Sequence, residues 1–220
     1  MPQNYIETVY SEQVRPYTPY PPKLCRHLFE RYELYSGQKL LDVGCGRGEF
    51  LKGFKDLGME ASGLDISESA KKYNPGIDIR VADVEKEKLP YPDGYFDVVF
   101  SKSNIEHLRD PERFMTQARR ILKNGGKLIV LTPDWEEVYR TFYEDYTHRT
   151  PFTVTSLTDI MTMFEFKDIE VVKFRQLPLV WKFPALKVFC PILSFFYPWL
   201  KSQKAVRFSK EIMLLGYCRK

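Results

Sequence analysis

Twelve residues carry the densest chemical signal in this chain: Leu40-Leu41-Asp42-Val43-Gly44-Cys45-Gly46-Arg47-Gly48-Glu49-Phe50-Leu51. An apolar run ends in an acid, glycine then takes every second position, and an amphipathic stretch begins. That order predicts a buried strand, a tight turn and a helix start. Glycines there let backbone N–H groups approach a ligand and let a helix N-terminus face it. Asp65 closes the next strand-like run, Ala61-Ser62-Gly63-Leu64. An acid about 20 residues past such a loop commonly accepts hydrogen bonds from ribose hydroxyls. The spacing Gly44-x-Gly46-x-Gly48 departs from the G-x-G-x-x-G of pyrophosphate-binding loops. Glu49, next in line, would repel a pyrophosphate but tolerate an amino group or a sulfonium, and Asp42 points the same way.

Three more segments follow in order: Gly63-Leu64-Asp65-Ile66-Ser67; Val81-Ala82-Asp83-Val84 with 89–99; and Ser101-Lys102-Ser103-Asn104-Ile105-Glu106-His107-Leu108 leading into 118–128. Together with the glycine turn they cover roughly 38–133. In these motifs the chain resembles the class I S-adenosylmethionine-dependent methyltransferases, in particular the small-molecule group. The resemblance implies S-adenosylmethionine as cofactor and S-adenosylhomocysteine as product. It implies that Asp42, Gly44, Cys45, Gly46 and Gly48 line the methionine portion. Asp65 would hold the ribose diol, Ile66 would pack on the adenine, and Asp83 and Val84 would meet its amino edge. Ser101 and Lys102 would pass beneath the methionine.

The acceptor's base is sought among three histidines. His107 follows the fourth predicted strand, where it either borders the site or packs the loop. His148 lies in Glu144-Asp145-Tyr146-Thr147-His148-Arg149-Thr150-Pro151-Phe152. This segment resembles a D-x-T-H-x-x-P-F element of some methyltransferases encoded with glycan-assembly enzymes. Asp145 is placed to orient the His148 imidazole, and a turn-stabilising role is the alternative. His27 reads as structural. No metal site is expected. The histidines are isolated in sequence, and only Asp134, Glu136 and Glu137 offer neighbouring carboxylates, which a solvated helix start explains equally well.

The elements that must position these residues alternate. Strands are expected over 39–43, 59–64, 77–81, 95–101, 127–131, 169–174 and 212–218. Helices are expected over 50–57, 68–73 and 110–122, the last closed by Gly125-Gly126, and from Thr153 or Thr155 to about 164. Alternation of this kind gives βαβ units and a parallel sheet. The resemblance implies an α/β, Rossmann-like open sheet of seven strands, mostly parallel, the last antiparallel beside the fifth, with helices on both faces. The 220 residues suit one domain: a lid over 1–35 carrying Tyr5, Tyr10, Tyr17 and Tyr20, a cofactor core over 38–133, and substrate-side elements over 134–166 and 175–210.

Net charge is +4, with 33 Lys/Arg against 29 Asp/Glu, but residues 173–220 hold ten Lys/Arg and a single acid, Glu211. Residues 183–200 are apolar, aromatic and broken by Pro184, Pro191 and Pro198. Aromatics flanked by cations favour a membrane interface, so an anionic membrane surface is one expected partner for 173–210. A substrate cap or a homodimer face is the alternative. Four scattered cysteines and no signal peptide point to a reducing cytoplasm, peripheral at the inner membrane face if the membrane reading holds. Ser101-Lys102-Ser103-Asn104 stands where DNA- and RNA-base methyltransferases usually carry an Asn/Asp-Pro-Pro-Tyr element, so no nucleic acid partner is expected. The expected reaction is O-methylation of a sugar in a small-molecule or lipid-linked glycan. Methylation of a quinone or other small metabolite, or a cofactor-binding pseudoenzyme, are the alternatives.

Overall fold

The structure is a computed structural model that describes residues 7–8, 11–13, 15–190, 192 and 211–220. Tyr5, Tyr10 and the aromatic and basic residues between 193 and 210 lie outside the described residues. The described chain builds one seven-stranded sheet in the order β3-β2-β1-β4-β5-β7-β6. The strands are β1 (Lys39–Val43), β2 (Glu60–Asp65), β3 (Ile79–Val81), β4 (Phe96–Lys102), β5 (Leu122–Pro133), β6 (Lys167–Arg175) and β7 (Ile212–Arg219). β1 to β5 run parallel, and β7 lies antiparallel between β5 and β6. The expected architecture is therefore the observed one.

Side-chain alternation along the strands sends two apolar sets to opposite faces. Leu40, Ile129 and Leu131 join one core with Leu24, Leu28, Leu51 and Phe54. Leu41, Val43, Leu128 and Val130 join the other with Phe114, Met115, Leu157 and Met161. The first face is covered by α1 (Tyr20–Arg31), α2 (Glu49–Asp56) and α3 (Ser69–Tyr73). The second carries α4 (Pro111–Ile121) and, beyond the short α5 (Trp135–Val138), α6 (Val154–Met163). A final short helix, α7, spans Pro178–Lys182. Gly216 in β7 lets α6 lie flush on the sheet, for a Cβ there would stand 2.7 Å from Met161 Cε.

Asp110 caps α4 by accepting from Arg113 N, and Thr153 caps α6 in a reciprocal pair with Ser156. One boundary differs from expectation. Gly125-Gly126 do not end α4, which stops at Ile121. They fall inside β5, whose pairing with β4 steps from Phe96↔Leu122 to Val98↔Lys127. The intervening residues are absorbed as a bulge, with Gly125 at φ +75°, a conformation in which a side chain is strained.

The segment expected as a lid divides. Leu24, Cys25, Leu28, Tyr32 and Leu34 are core residues. The amphipathic spacing of Leu24, Cys25 and Leu28 on α1 buries them against α2, where Gly53 admits the Cys25 thiol. The stretch ahead of α1 and the helix's first turn, Tyr20 and Pro21, reach the cleft described next. Among the described residues no helix is long and apolar enough to cross a membrane.

Candidate active site

A cleft opens at the carboxyl ends of β1, β2 and β4, the place where ligands of open α/β sheets bind. Its volume is about 710 Å³, inside the usual range of roughly 300–1,000 Å³ for small-molecule sites. The glycine turn forms its floor. Gly44 N and Cys45 N donate to Leu64 O at 2.8 and 3.1 Å, fastening the turn to β2. Gly44 sits at φ +80°, and a Cβ there would be 2.7 Å from Asn104 Cγ. Gly48, at φ +73°, would drive a Cβ into the Asn74 amide.

Asp65 ties both loops together. Its Oδ2 accepts from Gly46 N at 2.8 Å and its Oδ1 from Ser67 N at 2.9 Å. Ile66 N–H also bonds to this carboxylate, whose two oxygens, with about four lone-pair sites between them, keep capacity for a ligand hydroxyl. Burial raises the Asp65 carboxyl above the usual range, opposed by those same backbone N–H groups.

Of the expected cofactor residues, Gly44, Cys45, Gly46, Asp65, Ile66, Asp83, Val84 and Lys102 line the cleft. Asp42, Gly48 and Ser101 do not. Ser101 is fully buried and donates to Val43 O at 2.9 Å, bracing β4 against β1. Gly48 serves the fit against Asn74. Asp42 lies beneath the turn, and burial followed by the charge of Asp65 pushes its carboxyl up to about 8. The folded chain thus holds a proton there that the unfolded chain releases near about 3.9. Stability contributed by that proton is full below the lower value and is lost as pH rises to about 8. Replacing Asp42 by Asn is expected to raise the melting temperature at pH 9 and leave it nearly unchanged at acid pH, as thermal melts at the two pH values would show.

Glu49 faces the cleft as expected, but paired: Arg47 Nη2 approaches its Oε2 at 3.1 Å. Arg47 Nη1 also donates to Arg15 O at 2.8 Å, and Tyr17 covers the guanidinium at 4.5 Å. The stretch ahead of α1 is thereby fastened to the glycine turn. The motif reading did not foresee this contact, because its partners are distant in sequence.

The three expected acid/base residues separate. His107 lines the cleft, whereas His148 and Asp145 stand behind it. Asp145 does not orient His148 as expected. Its Oδ1 accepts from Thr147 N and Thr147 Oγ1 at 2.9 and 2.6 Å, and its Oδ2 stays 4.0 Å from His148 Nε2. His148 is oriented through Nδ1, 2.6 Å from Phe142 O. Thr147 Oγ1 contacts His107 Nδ1 at 2.9 Å, so Asp145 acts on His107 through Thr147. Burial, then the neighbouring His148, pull His107 down to about 4. Burial pushes Glu106 up to about 7 and lowers Lys102. Asp134, Glu136 and Glu137 converge on the Lys173 ammonium at 3.0, 2.9 and 3.1 Å. His27 stacks on Trp181 and Phe174, as a structural histidine would.

The far wall comes from residues that sequence reasoning passed over: Tyr20, Phe50, Pro133, Gln176, Glu211 and Met213. Tyr20 donates to Gln176 Oε1 at 2.9 Å, and Gln176 Nε2 donates to Glu211 Oε2 at 3.1 Å. No local pattern marks them. They meet because β6 and β7 bring their ends to the cleft.

Residues 41–130 match the family described as "Methyltransferase domain". Over this stretch the chain is similar to that family. Among curated relatives, the sterol 4-C-methyltransferase strm-1 of Caenorhabditis elegans is 28% identical over 134 residues, 56% of this chain and 40% of that protein. The ubiquinone/menaquinone biosynthesis C-methyltransferase UbiE of Cupriavidus metallidurans is 32% identical over 124 residues, 51% of each chain. The chain thus spans about half or less of the relatives it matches. Among solved structures, a SAM dependent methyltransferase from Archaeoglobus fulgidus superposes with TM-score 0.68 at 22% identity, covering 97% of this chain and 99% of that one. The matched stretch holds the glycine turn, Asp65 and Asp83. His148, Gln176 and Glu211 fall outside it. The bare turn at Gly44 and Gly46 and the Asp65 carboxylate fit S-adenosylmethionine, the methyl donor on which the Archaeoglobus fulgidus methyltransferase depends.

Proposed function

We propose that the chain transfers a methyl group from S-adenosylmethionine to a hydroxyl on a small, largely apolar acceptor such as a hydroxylated ring of the quinol kind. The observation that carries this reading is the make-up of the acceptor end. Phe50, Pro133, Val138, Ile212 and Met213 supply its apolar wall, and His107 lies on its edge. A free sugar would bring several hydroxyls needing partners, whereas the polar groups of this wall, Tyr20, Gln176 and Glu211, already bond to one another. The sugar reading ranks second, supported by the Gln176–Glu211 pair. The relatives named for quinone and sterol methylation, both C-methyltransferases, favour an apolar ring as the acceptor but not a hydroxyl as the atom methylated.

The bound donor supplies a methyl already activated on a sulfonium. The protein's share is then mainly placement, worth up to about 7–11 kcal/mol in favourable cases. The glycine turn and Asp65 fix the donor, and the apolar wall excludes water and orients the acceptor. His107 Nε2 accepts a hydrogen bond from the acceptor's hydroxyl. Leu179, Phe183, Phe189 and Ile192 are exposed, and with Lys182 such residues would meet an anionic lipid surface carrying the acceptor.

The test uses methyl-labelled donor with a hydroxylated, prenylated ring and with a lipid-linked sugar, each offered in anionic and in neutral vesicles. Label is expected in the ring compound, faster from anionic vesicles. Transfer to the sugar alone would promote the second reading. Donor binding with no transfer to either would leave a binding protein without turnover.

A further inference from the structure

Glu106, His107 and His148 are brought together by the backbone. Arg149 N and Thr150 N both donate to Glu106 O, at 2.8 and 3.0 Å, which fastens the second histidine's loop beside the first. One potential ligand atom of each side chain lies within 4.8 Å of those of the other two.

The protonation pattern follows from the neighbours. His148 Nδ1 faces Phe142 O at 2.6 Å. A carbonyl only accepts, so that nitrogen carries hydrogen. Thr147 Oγ1 has one proton, and the Asp145 carboxylate takes it at 2.6 Å. Towards His107 Nδ1, 2.9 Å away, Thr147 can only accept, so His107 Nδ1 carries hydrogen too. Both imidazoles therefore present Nε2 as the electron-pair donor. Such outer contacts, to a backbone carbonyl and through a hydroxyl to a carboxylate, are the ones that hold metal-binding histidines in tautomer and orientation.

Glu106 supplies the oxygen. Its side chain is 1% exposed, and Oε2 accepts from Thr132 Oγ1 at 3.0 Å. Among the described residues no lysine or arginine pairs with it. The buried Lys102 ammonium attracts this carboxylate from nearby without forming an ion pair with it.

We propose that Glu106, His107 and His148 form a binding site for one divalent first-row transition-metal ion, of the zinc or iron(II) kind. Two imidazoles and a carboxylate suit these ions, and three protein ligands leave a position for a substrate oxygen. Ligand atoms around a tetrahedral ion with bonds of about 2.1 Å stand about 3.4 Å apart. The present spacing, within 4.8 Å, must shorten toward that value when an ion binds. Asp145 Oδ2, 4.0 Å from His148 Nε2, stands near as a further oxygen. His107 puts the ion at the edge of the cleft, where it would polarise the acceptor's hydroxyl. This part deepens the transfer reading above and rests on it, whereas ion binding does not.

The test is a cobalt(II) and zinc(II) titration of chelator-stripped full chain, read by bound metal per chain and by the visible absorption of cobalt. One equivalent is expected, with a higher melting temperature. His148→Ala and Glu106→Gln should each weaken binding at least about tenfold, and Thr147→Val, which removes an outer contact, about 10–100-fold. Failure of the unaltered chain to bind either ion overturns the proposal. So does unchanged binding in a folded His107→Ala/His148→Ala double variant. Donor calorimetry on the same samples separates the two readings. A chain that binds donor and no cobalt loses only the metal site, and His107 then meets the hydroxyl by itself. A chain that binds cobalt and no donor loses only the transfer reading.

Discussion

Asp65→Ala is expected to weaken S-adenosylmethionine binding by more than about a hundredfold. The carboxylate is the intended acceptor for two ribose hydroxyls, and hydrogen bonds to a charged group contribute about 1.5–3 kcal/mol each. Losing both costs about 3 kcal/mol or more, at about 1.4 kcal/mol per tenfold in affinity. The same substitution leaves Gly46 N and Ser67 N without the acceptor they now share, which loosens the glycine turn as well. Asp65→Asn keeps one acceptor oxygen and should fall between. Burial raises the Asp65 carboxyl, and its ionised form is the better acceptor, so affinity should decline as pH falls through that raised value. Calorimetry with donor and with S-adenosylhomocysteine measures all of this. A folded alanine variant binding within threefold of the original would remove Asp65 from the site.

His107→Ala is expected to lower turnover about a hundredfold while donor affinity stays put. Positioned acid–base groups contribute about 10²–10⁴-fold. The lower end applies because burial holds His107 near 4, and so weak a base takes a proton poorly. Single-turnover rates with labelled methyl, beside donor calorimetry, separate the two effects. A loss of donor binding equal to the loss of rate would mean the ring packs the loop and does not meet the acceptor.

The two halves of the cleft were not equally readable from sequence. The donor half is written in contiguous stretches: Gly44 to Gly48 make a turn locally, and Asp65 ends the strand beside it. Spacing reports such structure because it is made within a few residues. Even there, whether a residue faces the ligand was harder to see. Ser101 turns inward to Val43, Gly48 fits against Asn74, and Asp42 is buried away from the cleft. The acceptor half is assembled by sheet order. Gln176 and Glu211 meet because β7 lies against β6, and His107 meets His148 because Glu106 O accepts from the later loop. His148 drew attention through Asp145 three positions earlier. The structure routes that acid through Thr147 to the other histidine, a three-body contact that pair spacing cannot express.

Gly216 carries a genealogical implication. Because α6 touches the strand where no side chain stands, with Leu157 and Met161 filling the gap, bulk at these three positions is shared among them. Descendants of this lineage that acquire alanine or larger at 216 should carry smaller residues at 157 or 161. That correlated drift can be looked for in kindred chains without any assay.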